Sequence, residues 1–518
     1  MARQEAKEQI DMVTTQKFTD DELAYLSATE QIRLFKAGTI TPTDVLEAQV
    51  RRVKKYNGEY NSAHRDLKDE LDTFNAGKVN AITFDCFAEA RKLAKEAEAR
   101  YRSGTARPIE GVTVGVKNDH DVRGWRHDDG SLLADALGTS APGEEDDDIA
   151  ERLRAAGAIL VFQTTVPEFC MSCQTWSRLY GVTRNPWNLF YGSGGSSGGS
   201  GAALAAGFCT LATGTDMGGS IRIPSAMNGL YGFKPPFGRV PCMEGAYSCC
   251  GPMARTFDDM VLLQNVLCGP SAKVHYSLRP KLDYPSEYRP IKGERVAVDY
   301  FRSWLPDGLD RDVSASMDRA AAALKAAGAE VAEVDLGWKA SELWPLFLPG
   351  LLNTDLYGLC RNGDRKPELL CPYAAKVLDV ARKAGPEDSV RSAEAISRMH
   401  QEVQKAVFAQ GCIALVTPTL VTPRVPADFE ATPESKADVN GRKIGTLSIC
   451  LTWEWNMMNA YPVVDLPVGL SDRSVPVGVQ VVGNTFDDLA AFGVSAALSK
   501  ALPQLYRDGR FPDFHCAQ

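Results

Sequence analysis

Gly192-Ser193-Gly194-Gly195-Ser196-Ser197-Gly198-Gly199-Ser200-Gly201 runs directly into Ala202-Ala203-Leu204-Ala205-Ala206-Gly207, and Gly214-Thr215-Asp216-Met217-Gly218-Gly219-Ser220-Ile221-Arg222-Ile223-Pro224 follows. A glycine–serine stretch ordinarily reads as a flexible linker. This one sits between buried-looking elements and ends in a helix-forming alanine run, which argues against that. A phosphate-cradling loop needs a Gly-Lys-Ser/Thr ending, and no lysine lies between Arg184 and Lys234. The dinucleotide fingerprint breaks at Ser197, where its third glycine belongs. Gly194-Gly195-Ser196-Ser197-Gly198 has the letters of an esterase elbow, but that motif expects a strand just before it and a later histidine base.

The residues point instead to a serine nucleophile. Two glycines before Ser220 let backbone N–H groups converge on one point, as an oxyanion hole requires. Glycines around Ser196 permit torsions that re-aim its hydroxyl. A serine attacks only after something takes its proton; with no evident histidine partner, a lysine is the other common base.

Working outward, Val112–Val116 is a short apolar run that predicts a buried strand. A helix around Ile149–Ala156 and a second run, Ala158–Phe162, predict strand, helix, strand and hence an α/β fold with parallel pairing. Arg295–Val298, a helix near Val313–Ala326, Ile413–Val416 and Val477–Val482 continue the pattern. The first 60 residues predict two helices: one from Asp20 to Gly38, and one opened by Thr41-Pro42-Thr43-Asp44 as cap and first turn. A third helix runs from about Phe87 to Gly104.

On these motifs the chain resembles the amidase signature hydrolases. G-G-S-S-G-G-S paired with G-T-D-x-G-G-S-I-R-x-P, 24 residues serine to serine, is that family's hallmark. The likeness extends to Gly111–Lys117, Thr164–Phe169, Gly181–Trp187, Gly229–Pro235, Thr417–Thr419 and Pro476–Gln480, and so covers roughly residues 25 to 510.

The resemblance implies an α/β amidase signature fold, with a large mixed central sheet flanked by helices on both sides. Residues 1–24 become an N-terminal extension and 511–518 a tail. The polar segment 58–77 becomes a surface insertion, and 340–460 a divergent region that builds the substrate pocket. The family pattern makes Ser220 the nucleophile, Ser196 (after a cis peptide bond) the proton relay and Lys117 the base. The N–H groups of Met217, Gly218, Gly219 and Ser220 would hold the oxyanion, with Asp216, Arg222 and Ser197 in support. The lysine must be neutral to accept a proton, and burial lowers a lysine pKa by penalising its charged form. Three positions depart from the family: Asn118 replaces the usual aspartate and is followed by Asp119 and His120, Thr165 replaces an asparagine, and Phe162-Gln163 replaces Gly-Lys.

The expected activity is hydrolysis of a compact aryl or arylalkyl amide. Cys170, Met171, Trp453, Trp455 and Met457 are candidate pocket walls, because aromatic and thioether groups suit a flat apolar substituent. No lysine or arginine lies between Cys450 and Leu470 to receive a substrate carboxylate. The competing readings are a glutamine-hydrolysing subunit of a tRNA-dependent amidotransferase, an esterase, and a silent binding protein on the same fold.

Composition sets the remaining bounds. The 518 residues carry a net charge of −9 with 44% apolar residues, which disfavours a nucleic-acid or anionic-membrane surface. The 13 cysteines are odd in number, the first 20 residues lack a secretory apolar stretch, and no apolar run reaches membrane-spanning length. Reduced thiols in a cytoplasmic protein are the expectation. The six histidines are scattered, so no metal is expected and no cofactor is required. The expected partner is a small-molecule amide, and a homodimer is compatible with all of this.

Overall fold

The computed structural model describes residues 18–60, 77–242, 245–305, 308–352, 366–429, 436–445 and 448–517. Most of the expected insertion at 58–77 therefore lies outside the described residues.

Eleven strands form one mixed sheet: β1 (Ile82–Asp85), β2 (Thr113–Lys117), β3 (Ile159–Thr164), β4 (Leu211–Thr215), β5 (Tyr231–Lys234), β6 (Cys250–Ala254), β7 (Arg295–Asp299), β8 (Glu330–Val334), β9 (Cys412–Pro418), β10 (Val463–Leu470) and β11 (Pro476–Gly483). Their order across the sheet is β1-β3-β2-β4-β6-β5-β10-β11-β9-β7-β8. Parallel pairing joins β3, β2 and β4 at one end and β9, β7 and β8 at the other. The strands between them pair antiparallel.

Alternate residues of each strand enter different cores, which is how a sheet covered on both faces reads. Val114 and Val116 of β2, Val296 and Val298 of β7 and Val479 and Val481 of β11 pack with Leu153, Met260, Met317 and Phe492 from helices on one face. Ile159 and Val161 of β3 pack on the other face with Leu46, Phe87 and Ala202–Ala206. Ala297 and Val482 share that second side with Met399 and Val403.

The glycine–serine stretch is the tightest part of this second face. Gly198–Ala205 is a helix with every residue buried. A Cβ on Gly199 would lie 2.4 Å from the Thr165 backbone nitrogen, so the small residues here permit close packing instead of flexibility.

One predicted element differs in detail. The first helix is two, Asp20–Tyr25 and Ala28–Ala37. The break falls at Ser27, whose hydroxyl caps the second helix, while the N–H groups of Ala28 and Thr29 donate to Asp259, 231 and 230 residues away. The chain ends also pack on the body. Tyr25 donates to the Ala205 carbonyl at 2.9 Å, and Phe514 stacks on Tyr56 with ring centres 3.9 Å apart.

Candidate active site

Strand β2 ends on Lys117, and the five residues of that strand are all buried. Its side chain is fully buried, with Nζ donating to Ser196 Oγ at 2.8 Å and to Thr215 Oγ1. Ser196 follows a cis peptide bond from Gly195 and sits just before the buried glycine helix. Ser220 lies at the start of the next turn, one residue before the helix cap that opens Arg222–Asn228. Ser196 and Ser220 line one cavity of about 630 Å³, together with Thr215, Met217, Cys170 and Asp119. The Ser197 N–H donates to the Ser220 carbonyl at 3.2 Å and ties the two motifs together.

A buried ion pair shapes the loop before Ser220. Arg222 grips Asp216 in a two-pronged fashion, at 2.9 and 2.8 Å, and neither side chain is exposed. Arg222 also donates to Gln480, Asn456 and the Thr452 carbonyl. Burial pushes the Asp216 carboxyl up, but the Arg222 guanidinium and the Asn456 hydrogen bond outweigh it and hold it below its ordinary value.

The loop corrects one expectation. The Gly219 N–H already donates to Asp216 Oδ1 at 2.9 Å, so it is not available to an oxyanion in this geometry. The N–H groups of Met217, Gly218 and Ser220 have no acceptor among the described residues. Gly219 has φ +119°, and a Cβ there would meet Thr452 Oγ1 at 2.2 Å, which explains glycine at this position.

The shell around Lys117 is more polar than an apolar strand suggests. Asp119 Oδ2 is 2.7 Å from Nζ, accepts from Thr215 Oγ1 at 2.6 Å, and receives the Cys170 thiol at 3.6 Å. Burial works against the Asp119 carboxylate, but Lys117, His120 and the Thr215 hydrogen bond bring its pKa below the usual range. Asn118, the departure from the family pattern, turns to Asp128 at 2.8 Å. The acidic partner of the lysine is thus supplied two residues on, by Asp119. Sequence reading missed Asp119 and Thr215 as site residues; the acid two positions after Lys117 and the threonine of G-T-D were the available signals.

Cys170 reaches this cluster because Phe169 and Cys170 both take left-handed backbone angles, φ 52° and 57°. Such torsions cost about 1–3 kcal/mol each in non-glycine residues. Burial pushes the Cys170 thiol well above its ordinary pKa, so it stays protonated, and it is hydrogen-bonded with Ser196.

The other expected pocket residues divide. Trp453, 2% exposed, packs behind the Met217–Ser220 loop, with its Cβ 3.8 Å from where a Gly218 Cβ would be. Phe347 stands beside it, its ring 3.3 Å from the same point and 5.3 Å from the Trp453 ring. Trp455 and Met457 are core: Trp455 packs on Trp338 and Tyr461, and both are at most 3% exposed. Met171 packs against the clusters holding Trp176, Tyr373, Leu133 and Leu378, away from the cavity. Among the described residues no group of three or more histidines, cysteines or acids is arranged to hold a metal, and no helix is long and apolar enough to cross a membrane.

The Amidase family profile matches residues 65–491. A glutamyl-tRNA(Gln) amidotransferase subunit of Cupriavidus pinatubonensis is 30% identical over 474 residues, spanning 82% of this chain and 90% of that protein. A bacterial aryl acylamidase of the amidase signature family superposes with a TM-score of 0.79 at 26% identity, covering 92% of this chain and 96% of that one. A 6-aminohexanoate cyclic dimer hydrolase gives 0.77 at 26% identity, covering 95% and 99%. With its eleven-stranded sheet, its two serine motifs and a profile match across most of its length, this chain belongs to the amidase signature family of amide hydrolases.

Proposed function

We propose that the chain cleaves a carboxamide C–N bond through an acyl-enzyme on Ser220. The observation that carries this reading is the buried contact of Lys117 Nζ with Ser196 Oγ at 2.8 Å, on the floor of a cavity that Ser220 also lines. Ser220 Oγ attacks the carbonyl carbon, its proton passes to Ser196, and the Ser196 proton passes to the neutral amine of Lys117. Asp119 balances the ammonium so formed. The unengaged N–H groups of Met217, Gly218 and Ser220 receive the oxyanion, and preorganised donors of this kind are worth about 3–4 kcal/mol each. The proton then returns through Ser196 to the leaving nitrogen as the C–N bond breaks. Water repeats the sequence on the ester to release the acid and restore Ser220.

The substrate reading is a compact aryl or arylalkyl amide. The apolar rings of Phe347 and Trp453 back Gly218 from the buried side, which favours a flat apolar group at the site, and the aryl acylamidase named above shares the fold over nearly the whole chain. A second reading, glutamine hydrolysis within an amidotransferase, is favoured by the identity to the amidotransferase protein of Cupriavidus pinatubonensis. Specificity constants for acetanilide-type, benzamide-type, oleamide and glutamine substrates separate the two. The first reading expects the anilide to be best. Ammonia release from glutamine as the fastest reaction, or oleamide as the best substrate, contradicts it.

A further inference from the structure

Two thiols meet between the segments that hold the two serine motifs. Cys173 and Cys450 are both free, and their side chains hydrogen-bond each other. Both pack into one apolar cluster, with Cys450 buried and Cys173 partly exposed. With Cys450 as donor, the contact holds the Cys173 thiol below its ordinary pKa and so favours the thiolate, which is the reactive form. Cys450 itself stays protonated, because that contact and burial both push its pKa well up.

Each thiol sits on a segment that shapes one serine. The Cys173 carbonyl carbon comes 3.0 Å from where a Gly195 Cβ would be, beside the cis bond that leads into Ser196. Two residues on, Thr175 Oγ1 donates to the Gly194 carbonyl at 2.8 Å and accepts from the Gly198 N–H at 3.2 Å. On the other side, the chain from Cys450 reaches Thr452, whose Oγ1 donates to the Gly218 carbonyl at 2.7 Å. The Thr452 carbonyl accepts from Arg222 at 2.8 Å. This second segment is fixed to the sheet region by a bridge between Cys450 and Leu420 and by the Gln480 hydrogen bond to the Leu451 carbonyl at 2.6 Å.

We propose that Cys173 and Cys450 form a reversible disulfide that turns this active site down when a peroxide oxidises them. The proposal rests on the amide-hydrolase reading for the activity it controls. The Cys173 thiolate attacks one peroxide oxygen, the O–O bond breaks and hydroxide leaves, giving a sulfenic acid. The Cys450 sulfur then attacks the Cys173 sulfur, and its proton departs with the sulfenic hydroxyl as water. The thiols lose two electrons to the peroxide, whose other oxygen becomes water with a proton from solvent. A covalent S–S bond is shorter than an S–H···S contact, so the bond draws the two segments together. The Cys450 side is anchored, so the shift falls on Cys173 and, through Gly195, on Ser196. A misplacement of about 1 Å can cost about 100-fold in rate.

The test treats the full chain with hydrogen peroxide, blocks the remaining thiols with iodoacetamide and maps the peptides without reduction. The expected product is a Cys173–Cys450 cross-linked peptide, with kcat/KM for an acetanilide lowered by about tenfold or more. Dithiothreitol should reverse both. Cys173→Ser, which leaves the buried partner in place, should match the untreated parent in kcat/KM and show no reversible fall on peroxide treatment. Cys450→Ala should likewise form no cross-link. The peptide map needs no turnover, so a cross-link in a chain that cleaves no amide counts against the amide reading alone and upholds the thiol pairing. Three results overturn the proposal: no Cys173–Cys450 peptide at a peroxide dose that oxidises the exposed Cys516, a cross-linked chain with parental kcat/KM, or an undiminished reversible fall in Cys173→Ser.

Discussion

Arg222→Ala removes the cation that holds the loop before Ser220. The side chain makes two hydrogen bonds to Asp216 and one each to Gln480, Asn456 and Thr452, all without exposure to water. Its loss leaves the buried Asp216 carboxylate without a counter-charge, and breaking a buried pair this way costs about 3–5 kcal/mol. With about 2.1 cal/mol/K of unfolding entropy per residue, 518 residues give about 1.1 kcal/mol per degree, so Tm should fall by about 3–5 °C. The pH dependence has a definite sign. Asp216 has a lowered pKa in the fold, so its contribution is fully present above the unfolded value of 3.8 and is lost as pH falls through the folded one. The stability gap between the parent and Arg222→Ala should therefore be widest near neutrality and close as the pH falls below about 4. Urea unfolding across that range measures it. A gap below about 1 kcal/mol at pH 7, or one that widens in acid, refutes the argument that this pair fastens the loop.

The other predictions are briefer. Lys117→Ala should cut kcat/KM by several orders of magnitude, since a serine without its base is a weak nucleophile, while the chain still folds with a lowered unfolding midpoint because Asp119 loses its buried partner; steady-state kinetics and circular dichroism on the same sample check both. Asp119→Asn should move the acidic limb of the kcat/KM profile to lower pH, because the ammonium form of the base loses its neighbouring carboxylate; an unmoved limb argues against the contact. Phe347→Leu should lower kcat/KM for aryl amides by about tenfold, roughly one aromatic contact of 1.4 kcal/mol, while sparing short aliphatic amides; equal losses on both argue that Phe347 is not a wall for the ring.

What the sequence disclosed and what it hid follow from range. Val112–Val116 predicted β2 because a buried strand needs nothing beyond its own apolar run, and the strand does end on Lys117. The two serine motifs were legible from their own glycine and serine spacing, although the contacts that demand those glycines come from afar, Thr165 against Gly199 and Thr452 against Gly219. The break at Ser27 was only half legible: the Ser27 hydroxyl caps locally, but the first two N–H groups of the new helix are met by Asp259, more than 200 residues away. Trp455 and Met457 showed their apolar character but not their direction, and the packing of Trp338 and Tyr461 on Trp455 decided that it is core. Asp119 was visible as a letter beside Lys117, yet its role needed Thr215 from β4 to meet it across the sheet.

The central claim is that Ser220 carries the acyl group, and the cavity also holds Ser196 and the thiol of Cys170 as rivals. Rapid acid quenching during turnover of an acetanilide-type substrate, followed by peptide mass mapping, tests it most directly. The account predicts a single acetyl adduct on the peptide bearing Ser220, absent from Ser220→Ala. An adduct on Cys170 or Ser196, or steady turnover by Ser220→Ala, contradicts it.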